Sequence, residues 1–244
     1  MTGIRMQLCF LAACCALSTG YAREGDSFTV EEVRQLVEKH NGGSLDALQH
    51  LEELPDAIAA ELGRFKGTFL NLNRIKQLSD NAAQAVGQAQ CTLSLNGLHR
   101  LSDNAAKSLG MHDGNLILGG LTRLSDEAAE GLSQHRGELM ILRVKGLSER
   151  ALIALANVEG SLWLNAQETI SVKAAEALSH HEHGLMLDGV YTISDEAAAA
   201  LANYKGNTLN LEHLTVTCVE AFSSETLAAL RANRSIRGWF MNEK

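Results

Sequence analysis

Apolar residues recur along this chain in one order. Leu70, Leu93, Leu116, Leu139, Leu162 and Leu185 stand 23 residues apart, and Leu209 follows after a step of 24. Each opens the pattern L-x-L-x-x-φ-x-x-φ-S-D-x-A-A-x-x-L, where φ is apolar. The third copy reads Leu116, Leu118, Leu121, Leu124, Ser125, Asp126, Ala128, Ala129, Leu132. The L-x-L alternation predicts a short strand with one face turned inward. Apolar residues three apart then turn the chain. Ser79, Ser102, Ser125, Ser148, Ser171 and Ser194 sit where a helix N-cap belongs, since a hydroxyl there accepts from an orphan amide. Asp80, Asp103, Asp126 and Asp195 fall in the first helical turn, the end of the helix dipole that favours anions. Gly114, Gly137, Gly160 and Gly206 close the units.

A unit of this size cannot bury its own apolar edge, but stacked units share a core. The expected fold is an α/β solenoid with parallel strands on one face and short helices on the other. Residues 44–66 read as a degenerate copy, with Leu48, Leu51 and Leu54 followed by Pro55 at the first helical position. Ahead of it, Thr29 and Glu32 form a capping box opening a helix that turns Val30, Val33, Leu36 and Val37 inward. The reading divides the chain into an N-terminal capping helix (23–43), repeats (44–232) and a C-terminal cap (233–244). In the last repeat Phe222 to Leu230 reads as a lengthened helix, with Trp239 and Phe240 folding over the final rung.

Units such as LSLNGLHRLSDNAAKSL and LILGGLTRLSDEAAEGL resemble bacterial leucine-rich repeats, most nearly the cysteine-containing type. Ser-Asp stands here where Thr-Asp stands in that type, and Leu98, Leu121 and Val144 stand where its cysteine would. The unit is shorter, the leading leucine is missing, and the asparagine ladder of typical leucine-rich repeats is absent. The resemblance covers roughly residues 44–232. It implies the solenoid fold and a general role in binding other molecules, and transfers no catalytic residues.

Residues 1–22 have the order of a secretory signal: Arg5, an apolar run from Met6 to Leu17, then small residues. The run is shorter than the ~20 residues a membrane-spanning helix needs. Two cuts fit. One follows Gly20-Tyr21-Ala22 and frees a chain starting at Arg23. The other precedes Cys14 in Leu11-Ala12-Ala13-Cys14, a lipobox-like stretch that would put a lipid on Cys14 and supply the only membrane attachment. Either cut makes the protein exported, to a periplasm, cell envelope or extracellular space. Cys91 and Cys218 then remain, about five rungs apart. At ~4.8 Å per rung that is far beyond disulfide reach, so both are expected as buried, unpaired thiols.

The formal net charge of −8 becomes −9 without Arg5, and only 5% of residues are aromatic. Both features argue against a nucleic-acid partner. No catalytic motif is present, so the chain reads as non-enzymatic, with no cofactor. His180, His181, Glu182 and His183 cluster, but they are adjacent at a helix end rather than converging as zinc ligands must. His112, His135 and His181 share a repeat position with Phe65, Ala89, Val158 and Tyr204, which marks a packing column.

The residues between the inward leucines project from the concave face. They run Asn71, Ser94, Ile117, Met140, Trp163, Met186, Asn210. Ile117, Met140, Trp163 and Met186 make an apolar stripe about 15 Å long with polar neighbours at both ends. The next column contributes Asn73, Asn96, Asn165 and Asp188. The function read from this pattern is recognition of a protein or peptide on the concave face. A structural or assembly module of the cell envelope is the alternative, with the stripe serving only to pack.

Overall fold

The computed structural model describes residues 28–238 and 241. The signal segment with Cys14, and the pair Trp239 and Phe240, lie outside the described residues.

The chain is a leucine-rich-repeat solenoid. After α1 (Val30–Lys39), strands and helices alternate: β1 (Ser44–Leu45), α2 (Asp56–Leu62), β2 (Phe69–Asn71), α3 (Asp80–Val86), β3 (Thr92–Ser94), α4 (Asp103–Gly110), β4 (Leu116–Ile117), α5 (Asp126–Leu132), β5 (Leu139–Met140), α6 (Glu149–Leu155), β6 (Leu162–Trp163), α7 (Val172–Ser179), β7 (Gly184–Met186), α8 (Asp195–Leu201), β8 (Thr208–Asn210), α9 (Val216–Glu220), α10 (Ser224–Ala232) and β9 (Ile236–Arg237). The strands form one parallel sheet in chain order. Its register follows the repeat: Leu70 lies beside Leu93, Leu116 beside Leu139, and Leu162 beside Leu185.

The core fills the space between strands and helices. Leu116, Leu118, Leu121, Ala128, Ala129 and Leu132 are fully buried, as are their equivalents in neighbouring turns. Helices of seven or eight residues are too short to stand alone in water. They persist because their alanines and leucines share this core. Gly114, Gly137 and Gly160 stack so closely that a Cβ on Gly137 would meet the Gly114 carbonyl oxygen at 2.0 Å, and one on Gly160 the Gly137 oxygen at 2.0 Å.

The Ser-Asp pair does two jobs. Ser125 Oγ accepts from Ala128 N at 3.1 Å as an N-cap, and donates to Asp103 Oδ1 of the preceding rung at 2.5 Å. The same link joins Ser79 to Asp56, Ser102 to Asp80, Ser148 to Asp126 and Ser171 to Glu149. These bonds hold the Asp56, Asp80 and Glu149 carboxyls below their ordinary range. The ladder stops at Val172, which stands where Ser194 would find its carboxylate. Ser194 turns instead to Glu196 of its own helix.

At the N-terminus the Thr29–Glu32 capping box forms, with Glu32 N donating to Thr29 Oγ1 and Glu32 Oε2 accepting from Thr29 N. Pro55 is the N-cap of α2, one residue before the helical position expected for it. The helix of the last repeat, expected to run on through Phe222 to Leu230, is instead two, α9 and α10. Ser223 interrupts it, its Oγ accepting from Thr226 N and its own N–H donating to Asp195 at 2.9 Å. Beyond it β9 adds a ninth strand, Leu209 pairing with Ile236.

Candidate functional site

Strand alternation and register assemble the stripe. Ile117 lies beside Met140, Met140 beside Trp163, and Trp163 beside Met186, on β4 to β7. All four are half-buried, so each packs against its neighbours and still presents apolar surface. The sheet brings them together as the sequence predicted.

The residue preceding each inward leucine shares this face, and here the sequence reading missed a participant. Glu138 precedes Leu139, and its Oε1 accepts from the Trp163 indole N–H at 2.6 Å. Asn115, one rung below, accepts from Glu138 N at 3.1 Å through Oδ1. The indole N–H is therefore tied to the preceding rung. The signal was available: Asn115, Glu138 and Ser161 recur at the same repeat position.

The polar column divides into halves separated by Gly119 and Leu142. In the first, Asn73 Oδ1 accepts from Ser94 Oγ at 2.6 Å and from Asn96 N at 3.0 Å. Asn96 Oδ1 accepts from Gly119 N at 2.8 Å, and its amide donates to Ser94 Oγ at 3.2 Å. Asn73 and Asn96 thus tie rung to rung. The ladder position of typical leucine-rich repeats lies two residues further on and is apolar at Ile75, Leu98 and Leu121, so that ladder is absent from these rungs as the sequence implies. One rung departs: Gln167 is buried there, its amide donating to Val144 O at 2.5 Å and its oxygen accepting from Leu147 N at 3.0 Å. In the second half Asn165 donates to Asp188 Oδ2 at 3.1 Å. Asn165 Oδ1 and Asp188 Oδ1 are buried acceptors without a partner among the described residues. Asn165 and Asp188 flank Trp163 and Met186, whereas Asn73 and Asn96 lie at the far end of the stripe.

The histidines serve the fold. His112 is buried and reaches the carbonyls of Gly87 at 3.2 Å and Cys91 at 2.9 Å. It stacks on His135 with centroids 6.3 Å apart. Burial, reinforced by the neighbouring His112 charge, lowers His135 to about 4. His181 is buried and meets Ala156 O at 3.2 Å, while His180 is exposed and meets Glu176 O at 2.8 Å. His183 is exposed, edge-on to His181 at 6.3 Å. Among the described residues no three His, Cys, Asp or Glu side chains converge as a metal site. Cys91 and Cys218 are buried and unpaired, and burial pushes the Cys91 thiol up to about 12. Among the described residues no helix is long and apolar enough to cross a membrane.

No protein-family model and no curated protein matches this chain. Among solved structures, internalin C2 from Listeria monocytogenes is similar at 18% identity, over 91% of this chain and 89% of that one, with a TM-score of 0.46. A likeness that loose leaves the fold to rest on the chain's own sheet and register.

Proposed function

We propose that this solenoid is an exported, non-enzymatic binding protein that takes a protein or peptide segment on its concave strand face. One observation carries the reading: four large apolar side chains, Ile117, Met140, Trp163 and Met186, sit in register on neighbouring strands and stay half-buried. Bound chain would bury them further; since full burial is worth about 1.5–3 kcal/mol and these are already half-buried, each would gain roughly half of that before the costs of association. Trp163, held by Glu138, loses little freedom on binding, which suits an anchor residue. Asn165 and Asp188, bonded to each other, border this surface and would have to turn outward to meet donors of a bound chain. Export rests on the order of residues 1–22, with either a soluble chain or a lipid on Cys14 as its product.

The test immobilises the chain from Arg23 and captures partners from envelope extract, with Trp163→Asp in parallel. A partner held by wild type and lost by a variant that melts normally supports the reading. The second reading, a structural or assembly module of the envelope, is favoured by the internal use of Asn73 and Asn96. Equal capture by both forms, or none by either, would move the function there.

A further inference from the structure

The loops leaving β2 to β5 are uniformly basic on an acidic chain. Residues 73–79, 96–102, 119–125 and 142–148 carry Arg74, Lys76, Arg100, Arg123, Arg143 and Lys145 and no Asp or Glu, although the net charge is −8. Some of this charge is answered. Arg74 and Lys76 pair with Glu52 at 2.7 and 2.9 Å, and Lys145 lies 3.5 Å from Glu168. Arg100, Arg123 and Arg143 are exposed and make no ion pair or hydrogen bond among the described residues.

The fold gains nothing from these three. Thr122 N and Oγ1 both donate to His99 O, at 3.1 and 3.2 Å, so the following residues, Arg100 and Arg123, stack one rung apart. Like charges at neighbouring rungs repel. Each also stands two residues before an N-cap serine, Ser102 or Ser125, at the helix end whose dipole disfavours cations. Arg143 lies on the next rung but three residues earlier in its unit, at the position of Arg74, Gly97 and Gly120, and so nearer its strand. It follows Leu142, which leans over the preceding rung, its Cδ1 3.2 Å from where a Cβ on Gly119 would lie. Arg123 and Arg143 stand in the loops that leave the strands carrying Ile117 and Met140.

We infer that the segment taken by the concave face is acidic: its apolar side chains lie on Ile117, Met140 and Trp163, and its carboxylates meet Arg100, Arg123 and Arg143. The inference rests on the binding role proposed above and adds the chemistry of the partner. The guanidinium fork matches a carboxylate in plane and spacing. A nucleic acid would offer the stripe no aliphatic side chains. A polyanion running along the stack would also leave the basic edge, because the loops beyond Trp163 carry Glu168 and Glu212. A short polypeptide with mixed apolar and acidic residues fits both halves of the surface.

The experiment pans random peptides of about twelve residues, long enough in extended form to cover the stripe, against the full chain. Enriched peptides are then tested on Trp163→Asp and on the combined variant Arg100→Glu, Arg123→Glu, Arg143→Glu. The expected peptides are net acidic, lose binding on Trp163→Asp, weaken about tenfold or more on the charge reversal, and weaken as salt is raised. The reversed arginines make no ion pair or hydrogen bond among the described residues, so that variant should melt no lower than wild type. If it does, the same positions changed to Gln supply the comparison. Peptides that need Trp163 but are neutral or basic and ignore the reversal overturn the acidic partner and leave the concave-face role standing. If no peptide depends on Trp163, both fall together. A DNA oligonucleotide and phosphatidylglycerol vesicles run alongside; binding of either that needs the arginines, without acidic peptides, also overturns the inference.

Discussion

Replacing Gly137 by Ala tests the stacking geometry directly. The added carbon would lie 2.0 Å from the Gly114 carbonyl oxygen and 2.6 Å from the carbonyl carbon. Both are backbone atoms and cannot rotate away. Restoring contact distance needs about 1 Å of separation between rungs. The adjoining ladder bond, Leu116 N to Glu138 O, is 2.8 Å long and would stretch past hydrogen-bonding range. Overpacking costs about 1–3 kcal/mol, and a lost ladder bond about 1 more, so the expected loss is about 2–4 kcal/mol. For a chain of this size that lowers Tm by roughly 5–15 °C. Gly43→Ala is the control, because its Cβ would meet only His40 O, at an ordinary 3.6 Å. Thermal melts followed by circular dichroism and urea midpoints measure both. A Gly137→Ala protein melting with wild type would refute the close approach and the rigidity assumed for the stack.

Three further outcomes follow from the same geometry. Ser125→Ala should destabilise more than Ser194→Ala: the first loses a cap worth about 1 kcal/mol and the link between rungs to Asp103, the second its cap to Ala197 N and a bond to exposed Glu196 within its own helix, but no link between rungs. Equal losses in urea would discount the ladder. His135 is held neutral by burial, with a folded value near 4 against an ordinary 6.5. The unfolded chain alone therefore takes up this proton between those values. Stability from this group is full above about 6.5 and falls as pH drops toward 4, by a few kcal/mol at most. His135→Phe, a residue the same column accepts at Phe65, should flatten that slope; an unchanged slope assigns it elsewhere. Cys91, buried and raised to about 12, should resist iodoacetamide at pH 8 in the native protein and react in urea, as read by peptide mass. Native labelling at that peptide would contradict its burial.

The repeat made the stack legible because a fixed covalent period, with one inward leucine per turn, leaves the strands little choice of register. The period alone aligns Ile117, Met140, Trp163 and Met186. Partners across rungs were harder to read. Alternation sends Asn73 and Asn96 outward but does not say that each oxygen will take an amide from the next turn. Glu138 meets Trp163 on a diagonal, 25 residues away, which a column-by-column reading passes over. The serine–aspartate ladder was present as an offset of 22 residues, Ser102 to Asp80 for instance. Each residue already had a reason within its own helix, so the second role stayed hidden. The two-helix ending depends on Ser223, a capping residue placed inside an otherwise helical run.

A stack bonded only between neighbours frays from its ends, as far as its weakest joint. On the helix side Val172 thins one joint: the turn carrying α7 offers no carboxylate to Ser194, while every serine link from Ser79 to Ser171 is made, and only the Asn165–Asp188 bond ties the side chains on the strand side. Opening there would release β7 onward as one piece and leave the turns bearing Ile117, Met140 and Trp163 zipped. Three positions of the stripe belong to the anchored part of the molecule. Met186, on the far side of the joint, would be the one that swings, and in native-state hydrogen exchange its strand should open sooner than that of Trp163.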